Sequence, residues 1–307
     1  MVWLTYAVAM PAPTADYPPD LAYIVATARA AAELIVAQCG IIEREMKTSA
    51  GAPIPGWKPE EAVTEADRAS QRLIIRALRR RFPEDGIIGE ENDGAPGITS
   101  EAPRSGARTW VIDPIDGTNN FVAGLGCYAV CIGLVEQGHP TLGVVHDVAR
   151  NVTYAAADGQ AWSNATPVQV LTSPLSDRSL LMLTCNLLDQ RGAVPGFIGH
   201  WLKHSSWKLR MLGSAALEAV QVGAGVAHGA LTVNGKLWDI AAAAAIILAT
   251  GGRVTDYHGN DIFPFTTTGY NGAKVPYLAA GPVAHAQLLA EITQRGWPQS
   301  LIENDSQ

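Results

Sequence analysis

From Ile240 to Ala249 the chain runs ten residues, IAAAAAIILA, without one polar side chain. A bilayer-spanning helix needs about 20 such residues, so this run reads as a helix buried inside a folded protein. A helix that is apolar all round has to be covered on every side. Trp238-Asp239 stands at its start and Gly251-Gly252 ends it.

Around that helix the apolar period alternates. Leu21–Met46 carries Ala, Leu, Ile and Val at helical spacing with charges opposite, the pattern of an amphipathic helix. Gly51, Pro53, Pro55, Gly56 and Pro59 make Lys47–Glu61 a long loop. Thr64 is the expected N-cap of a second helix, with Thr64-Glu-Ala-Asp67 as a variant capping box and Pro83 beyond its end. Strand-like spacing follows at Gly86–Gly89, Trp110–Asp113, Ala129–Glu136, Thr141–Asp147 and Asn151–Ala157, with a hairpin turn at 137–140. The second half reads as strands at Leu180–Thr184, Lys208–Met211, Ala230–Val233 and Arg253–Tyr257. Its helices fall at Gly199–His204, Ser214–Ala227 and Asp239–Thr250, and a final strand and helix reach Arg295.

Helices and strands in mixed order predict a layered α/β (α+β) chain. The expected divisions are an extended tail over 1–19, an N-terminal half over 20–170, a C-terminal half over 171–297 and a polar tail over 298–307. No P-loop or GxGxxG occurs, which weakens nucleotide-hydrolase and dinucleotide readings. Twenty-two basic against 29 acidic side chains give a charge of −7, which argues against nucleic acid as a partner. No run is long enough for a membrane span. Met1–Met10 is apolar but lacks the basic start of a signal peptide. Cys39, Cys127, Cys131 and Cys185 are too scattered for a disulfide framework. They predict core thiols and a reducing, cytoplasmic setting, with Cys127 and Cys131 on one face of a strand running from Cys127 to Val135.

The informative residues are acids at the ends of apolar segments. Ile87-Ile-Gly is followed by Glu90 and Glu91, Trp110-Val-Ile by Asp113 and Asp116, and Asp239 opens the alanine-rich helix. Taken singly, Asp239 reads as a helix cap and Asp116-Gly117 as a turn. Gathered in one low-dielectric region the acids would repel each other unless cations neutralised them. Oxygen donors without histidine or thiol select Mg²⁺, Mn²⁺ or Ca²⁺. A helix starting at Thr118 would aim free N–H groups at phosphate oxygens, and the Thr118 hydroxyl could orient a metal-bound water. That combination is the chemistry of a metal-assisted phosphomonoesterase.

Asp113-Pro-Ile-Asp-Gly-Thr-Asn-Asn-Phe121 and the stretch from Trp238 to Gly252 closely resemble the two signatures of the inositol monophosphatase superfamily. Gly89-Glu-Glu91 and Val63-Thr-Glu-Ala-Asp67 resemble its shorter upstream motifs, and the likeness covers about residues 21–295. The resemblance implies a five-layer αβαβα sandwich, a homodimer, lithium sensitivity and two or three Mg²⁺ per site, with Mn²⁺ as a substitute. It implies a first ion on Glu90, Asp113 and the Ile115 carbonyl, and a second among Asp113, Asp116 and Asp239. A third would lie near Glu90, through waters oriented by Asp67. Glu91 is expected beside the ligands more than among them. A water polarised by Glu90 and Thr118 would attack phosphorus, and Gly117 and Thr118 N–H groups would hold the phosphate.

The resemblance also places Gly213, Ser214 and Ala215 on the substrate side. Arg210 is either a neighbour of the substrate or a structural ion-pair partner, and Lys58 either approaches the metals or is a solvated surface lysine. Inositol-specific relatives carry a glutamate where this chain has Thr232, and Gly126 and Ala249 are further departures that touch no metal ligand. The expected substrate is therefore a small polyol or sugar-like phosphate, with inositol monophosphate the default. Histidinol phosphate, fructose 1,6-bisphosphate and 3′-phosphoadenosine 5′-phosphate stay open, and a catalytically silent phosphate-binding scaffold is the remote alternative.

Overall fold

The computed structural model describes residues 16–48, 59–92, 99–184 and 195–295. Two antiparallel-neighbour helices, α1 (Pro19–Thr48) and α2 (Pro59–Arg81), open the chain. Helix α1 buries Leu21, Ile24, Val25, Ala28, Ala31, Ala32 and Ile35, and α2 buries Ala66, Ile74 and Leu78, the three-to-four spacing of one helical face. Helix α2 starts at Pro59, five residues before the expected Thr64 cap. Proline fits a first helical position, where no N–H is needed, so the helix begins inside the segment read as loop. Residues 49–58, Lys58 among them, lie outside the described residues, as do 1–15 and 296–307.

The first sheet holds β1 (Gly86–Gly89), β2 (Thr99–Glu101) and β3 (Arg108–Asp116). After the short helix α3 (Thr118–Val122) come β4 (Ala129–Glu136), β5 (His139–Asp147), β6 (Val152–Ala157), β7 (Gln160–Ser163) and β8 (Thr166–Pro167). Their order is β2-β1-β3-β4-β5-β6-β7-β8, with only β1 and β3 parallel. The second sheet is built from β9 (Leu180–Leu183), β10 (Lys208–Arg210), β11 (Gly229–Thr232), β12 (Arg253–Thr255) and β13 (Tyr277–Ala280), ordered β10-β9-β11-β13-β12. Helices α4 (Gly196–His204), α5 (Ala215–Gly223), α6 (Leu237–Ala249) and α7 (Pro282–Arg295) complete the chain.

Contacts between elements arrange these in five layers. Helices α1 and α2 cover one face of the first sheet, α5 and α6 fill the space between the sheets, and α7, with α4 against it, covers the far face of the second. Helix α6 is the apolar run met at the outset, and Ile240 through Ile247 are all buried. It lies so close to the first sheet that a Cβ on Gly143 would stand 2.2 Å from the Ala242 carbonyl. The division near residue 170 falls between β8 and β9, yet one core cluster joins Val111 and Val145 to Ala242 and Ala279 across it.

Cys127 does not belong to a strand. β4 begins two residues later, because the Cys127 carbonyl is taken by the Asn120 side chain (2.7 Å) and the chain is still closing the turn after α3. Cys131 is buried in β4 as expected. Among the described residues no helix is long and apolar enough to cross a membrane.

Candidate metal centre

Strand β3 delivers the first two acids. Proline at 114 has no N–H, and the Asp113 carboxylate accepts a bond from the next available amide, Ile115 N–H, at 3.0 Å. The ladder with β4 shifts register between Asp113 and Asp116, so the strand bulges and both acids stay on its buried stretch. Helix α2 fixes this bend from behind, with the Ser70 hydroxyl on the Pro114 carbonyl at 3.2 Å. The next residue of α2, Gln71, pairs with both backbone groups of Glu91, which sets where β1 ends and Glu90 projects.

Asp116 meets the start of α5. The Ser214 hydroxyl donates to it, and the Ala215 and Ala216 N–H groups reach it at 3.2 and 2.9 Å. Ser214 also caps α5 by accepting from Leu217 N–H. Asp239 sits in the first turn of α6, where Lys236 N–H donates to it at 2.8 Å. The result brings Asp113, Asp116 and Asp239 together, each with a carboxylate oxygen within 4.8 Å of the others. Glu90 joins through a hydrogen bond shared with Asp113.

Electrostatics show what this crowding costs. Burial, joined by the charges of Asp67, Glu91 and Asp116, pushes the Glu90 carboxyl up to about 8. Asp113 and Asp239 rise well above the carboxylate range, by burial first and by their acidic neighbours second. Asp116 rises too, also by burial, but Ser214 and the N–H groups of α5 hold it back. Asp67, buried on α2, is lifted to about 8 by burial and by Glu91, and one of its carboxylate oxygens has no partner. None of the ion pairs found among the described residues reaches Glu90, Asp113, Asp116 or Asp239. Carboxylates raised in this way need either protons or hard cations, and an all-oxygen donor set fits Mg²⁺ or Mn²⁺.

A tight turn follows beside the cluster. Gly117 adopts φ +91°, and a Cβ there would stand 2.8 Å from the Cys127 carbonyl, so only glycine fits. Its conformation turns β3 directly into α3, whose first N–H groups have no intrahelical acceptor. Thr118 donates its hydroxyl to the Ile115 carbonyl at 2.9 Å. Thr118 and the Ile115 carbonyl thus share one corner of the site.

On the opposite wall the loop before α5 carries Gly213 and Ser214. Leu212 and Gly213 N–H groups both point to one oxygen of Glu218, at 2.7 and 3.0 Å. Arg210 is exposed, and among the described residues its side chain bonds the neighbouring Leu209 carbonyl. Thr232 is fully buried, with its hydroxyl unpartnered. Two contributors escaped sequence reasoning. Glu218 is a lone carboxylate in an otherwise apolar helix turn, the same signal that marked the strand-end acids. Tyr277 places its hydroxyl on the Ala215 carbonyl at 3.2 Å beneath the site, a role nothing in its local sequence announces.

Known proteins resemble this chain in sequence and fold. The sequence model of the Inositol monophosphatase family matches residues 17–296. Fructose-1,6-bisphosphatase/inositol-1-monophosphatase of Thermotoga maritima is 37% identical over 211 residues, 67% of this chain and 76% of that protein. Inositol-1-monophosphatase ImpA of Mycolicibacterium smegmatis is 30% identical over 272 residues, covering 84% and 93%. The solved structure of a Thermotoga maritima IMPase superposes with a TM-score of 0.69 at 29% identity, over 90% of this chain and 98% of that one.

Proposed function

This chain belongs to the inositol monophosphatase family, whose members are phosphatase hydrolases, and from that premise we propose that it is a Mg²⁺-dependent phosphomonoesterase acting on a small polyol or sugar-like phosphate. The observation that carries the reading is the convergence of Asp113, Asp116 and Asp239 within 4.8 Å, with no cationic side chain paired to them among the described residues.

Asp113, Asp116, Asp239 and Glu90, with the Ile115 carbonyl, are the donors for two or three Mg²⁺. Bound there, Mg²⁺ supplies Lewis-acid stabilisation of the charge that develops on the phosphoryl and leaving oxygens. Gly117 and Thr118 N–H groups grip phosphate oxygens at the mouth of α3. Glu90 and the Thr118 hydroxyl orient the attacking water, and Asp67 orders the water network behind Glu90. A phosphorus–oxygen bond to water forms as the ester bond breaks, and the proton that the attacking water gives up passes through solvent to the departing alkoxide. Ser214 keeps the Asp116 carboxylate turned toward the centre.

Thr232 supplies no carboxylate to a polyol ring, so a substrate other than inositol phosphate is within reach of the same centre. Histidinol phosphate, fructose 1,6-bisphosphate and 3′-phosphoadenosine 5′-phosphate are the alternatives. The deciding experiment is phosphate release from these and from inositol 1-phosphate, with Mg²⁺ and with EDTA. Rapid release from one ester, abolished by EDTA, is the expected result; background rates on all of them would leave a silent phosphate-binding scaffold as the better reading. A cytoplasmic homodimer inhibited by lithium completes the proposal, and light scattering and a Li⁺ titration test those parts.

A further inference from the structure

Two segments from opposite halves of the chain are tied together at the edge of the site. From α3, Asn120 donates to the Cys127 carbonyl and to the Leu212 carbonyl, both at 2.7 Å. From inside α5, a single Glu218 oxygen accepts from Leu212 and Gly213 N–H groups. The loop so held is pressed on the phosphate turn: a Cβ on Gly117 would stand 3.1 Å from Ser214 Cβ and 3.3 Å from the Gly213 carbonyl. Space at Gly213 is equally closed, since a Cβ there would lie 2.9 Å from the Asn120 amide nitrogen.

Glu218 is 2% exposed in a helix whose other buried residues are apolar. Burying a carboxylate is costly unless it is hydrogen-bonded. Its two accepted N–H bonds do not belong to α5 at all, which marks the loop as what the carboxylate serves.

We propose that Glu218 and Asn120 are positioning residues that clamp Leu212–Ser214 onto the Gly117 turn, so that the leaving-group side of the ester site is set before substrate arrives. The inference rests on the phosphatase reading for its kinetic consequence. Since the amides of Leu212 and Gly213 are committed to Glu218, the leaving group is received by a wall whose shape depends on that carboxylate. Ser214 is anchored separately, by its own bonds to Asp116 and from Leu217 N–H, so the Asp116 carboxylate keeps its place when the clamp is loosened.

Glu218→Met, Glu218→Gln and Asn120→Asp test this, with hydrogen exchange over residues 211–214, Mg²⁺ binding by calorimetry, and kinetics on inositol 1-phosphate. Glu218→Met should speed exchange in that segment at least tenfold and raise KM about tenfold, while kcat and Mg²⁺ affinity stay within threefold. Glu218→Gln keeps a carbonyl oxygen able to take both N–H bonds and should behave like the unmutated protein. Asn120→Asp, which sets a carboxylate against two carbonyls, should raise KM in the same way and decides the matter if Glu218→Met does not fold. Native exchange and native KM in Glu218→Met, or equal damage from Glu218→Gln, would overturn the clamp. If the unmutated protein releases no phosphate, the functional reading fails instead, and the exchange measurement alone still decides whether Glu218 holds the loop.

Discussion

Asp113 and Gly117 stand four positions apart and do opposite kinds of work. Asp113 is buried among like charges, a position that a cation or a proton has to neutralise. Asp113→Asn keeps the shape and the acceptor for Ile115 N–H but removes the charge. Loss of several kcal/mol of charge stabilisation in the transition state corresponds to at least a roughly 100-fold fall in kcat, measured as phosphate release at saturating Mg²⁺. A variant within tenfold of normal would mean that the reaction does not use this carboxylate. Gly117 contributes space and a left-handed backbone. Gly117→Ala adds about 1–2 kcal/mol of conformational cost and a Cβ 2.8 Å from a carbonyl. Urea unfolding should register a loss of about 2 kcal/mol or more, with activity falling alongside.

Among the elements, α6 decides how close the two sheets come. The Gly143 site on β5 faces its Ala242 carbonyl with no room for a methyl group. Gly143→Ala forces helix and sheet apart and should cost about 3 kcal/mol, at the upper end for overpacking, read from thermal unfolding; a loss under 1 kcal/mol would show that the layer slides freely. β5 also carries His146, buried against Thr153 at 2.9 Å and held down to about 4 by burial and by Arg29. An unfolded histidine takes its proton near 6.5. At this residue the unfolded chain therefore binds more protons between these values, and its contribution to stability falls as pH drops from about 6.5 to 4. His146→Gln should flatten that acid limb in denaturant titrations at successive pH values, and an unchanged limb would assign it to other groups. These elements were legible where packing follows periodicity: α1, α6, β4 and β5 are long apolar patterns. Strands β2, β7 and β8 were not, since short polar edges such as Thr99–Glu101 owe their form to a neighbour rather than to their own residues. The same holds for sites. Acids at strand ends announced themselves, whereas Glu218 folds back on amides five and six residues earlier and Tyr277 reaches the Ala215 carbonyl from a strand 62 residues away, and Thr64 gave way to Pro59 as the helix start.

At the scale of the molecule, the centre is where the two halves are joined. Asp113 and Asp116 belong to the first sheet and Asp239 to the helix layer supplied by the second half. Without a cation, the raised carboxyls favour the protonated folded state. Glu90 at about 8, against an ordinary value of 4.5, adds stability that is complete below 4.5 and lost as pH rises through 8. A divalent ion replaces those protons and should remove that alkaline decline. Saturation at 100 times the dissociation constant stabilises a fold by about 2.7 kcal/mol, or roughly 4 °C for a chain of this size. Calorimetric scans in EDTA and in Mg²⁺ at pH 8, with ionic strength matched by Na⁺, should show that rise. Asp239→Asn should lose most of it while melting no lower than the unmutated chain in EDTA, because removing one like charge relieves the others. A variant that still gains the full increment would place the ion elsewhere, and an unmutated protein indifferent to Mg²⁺ would mean that protons alone neutralise the cluster.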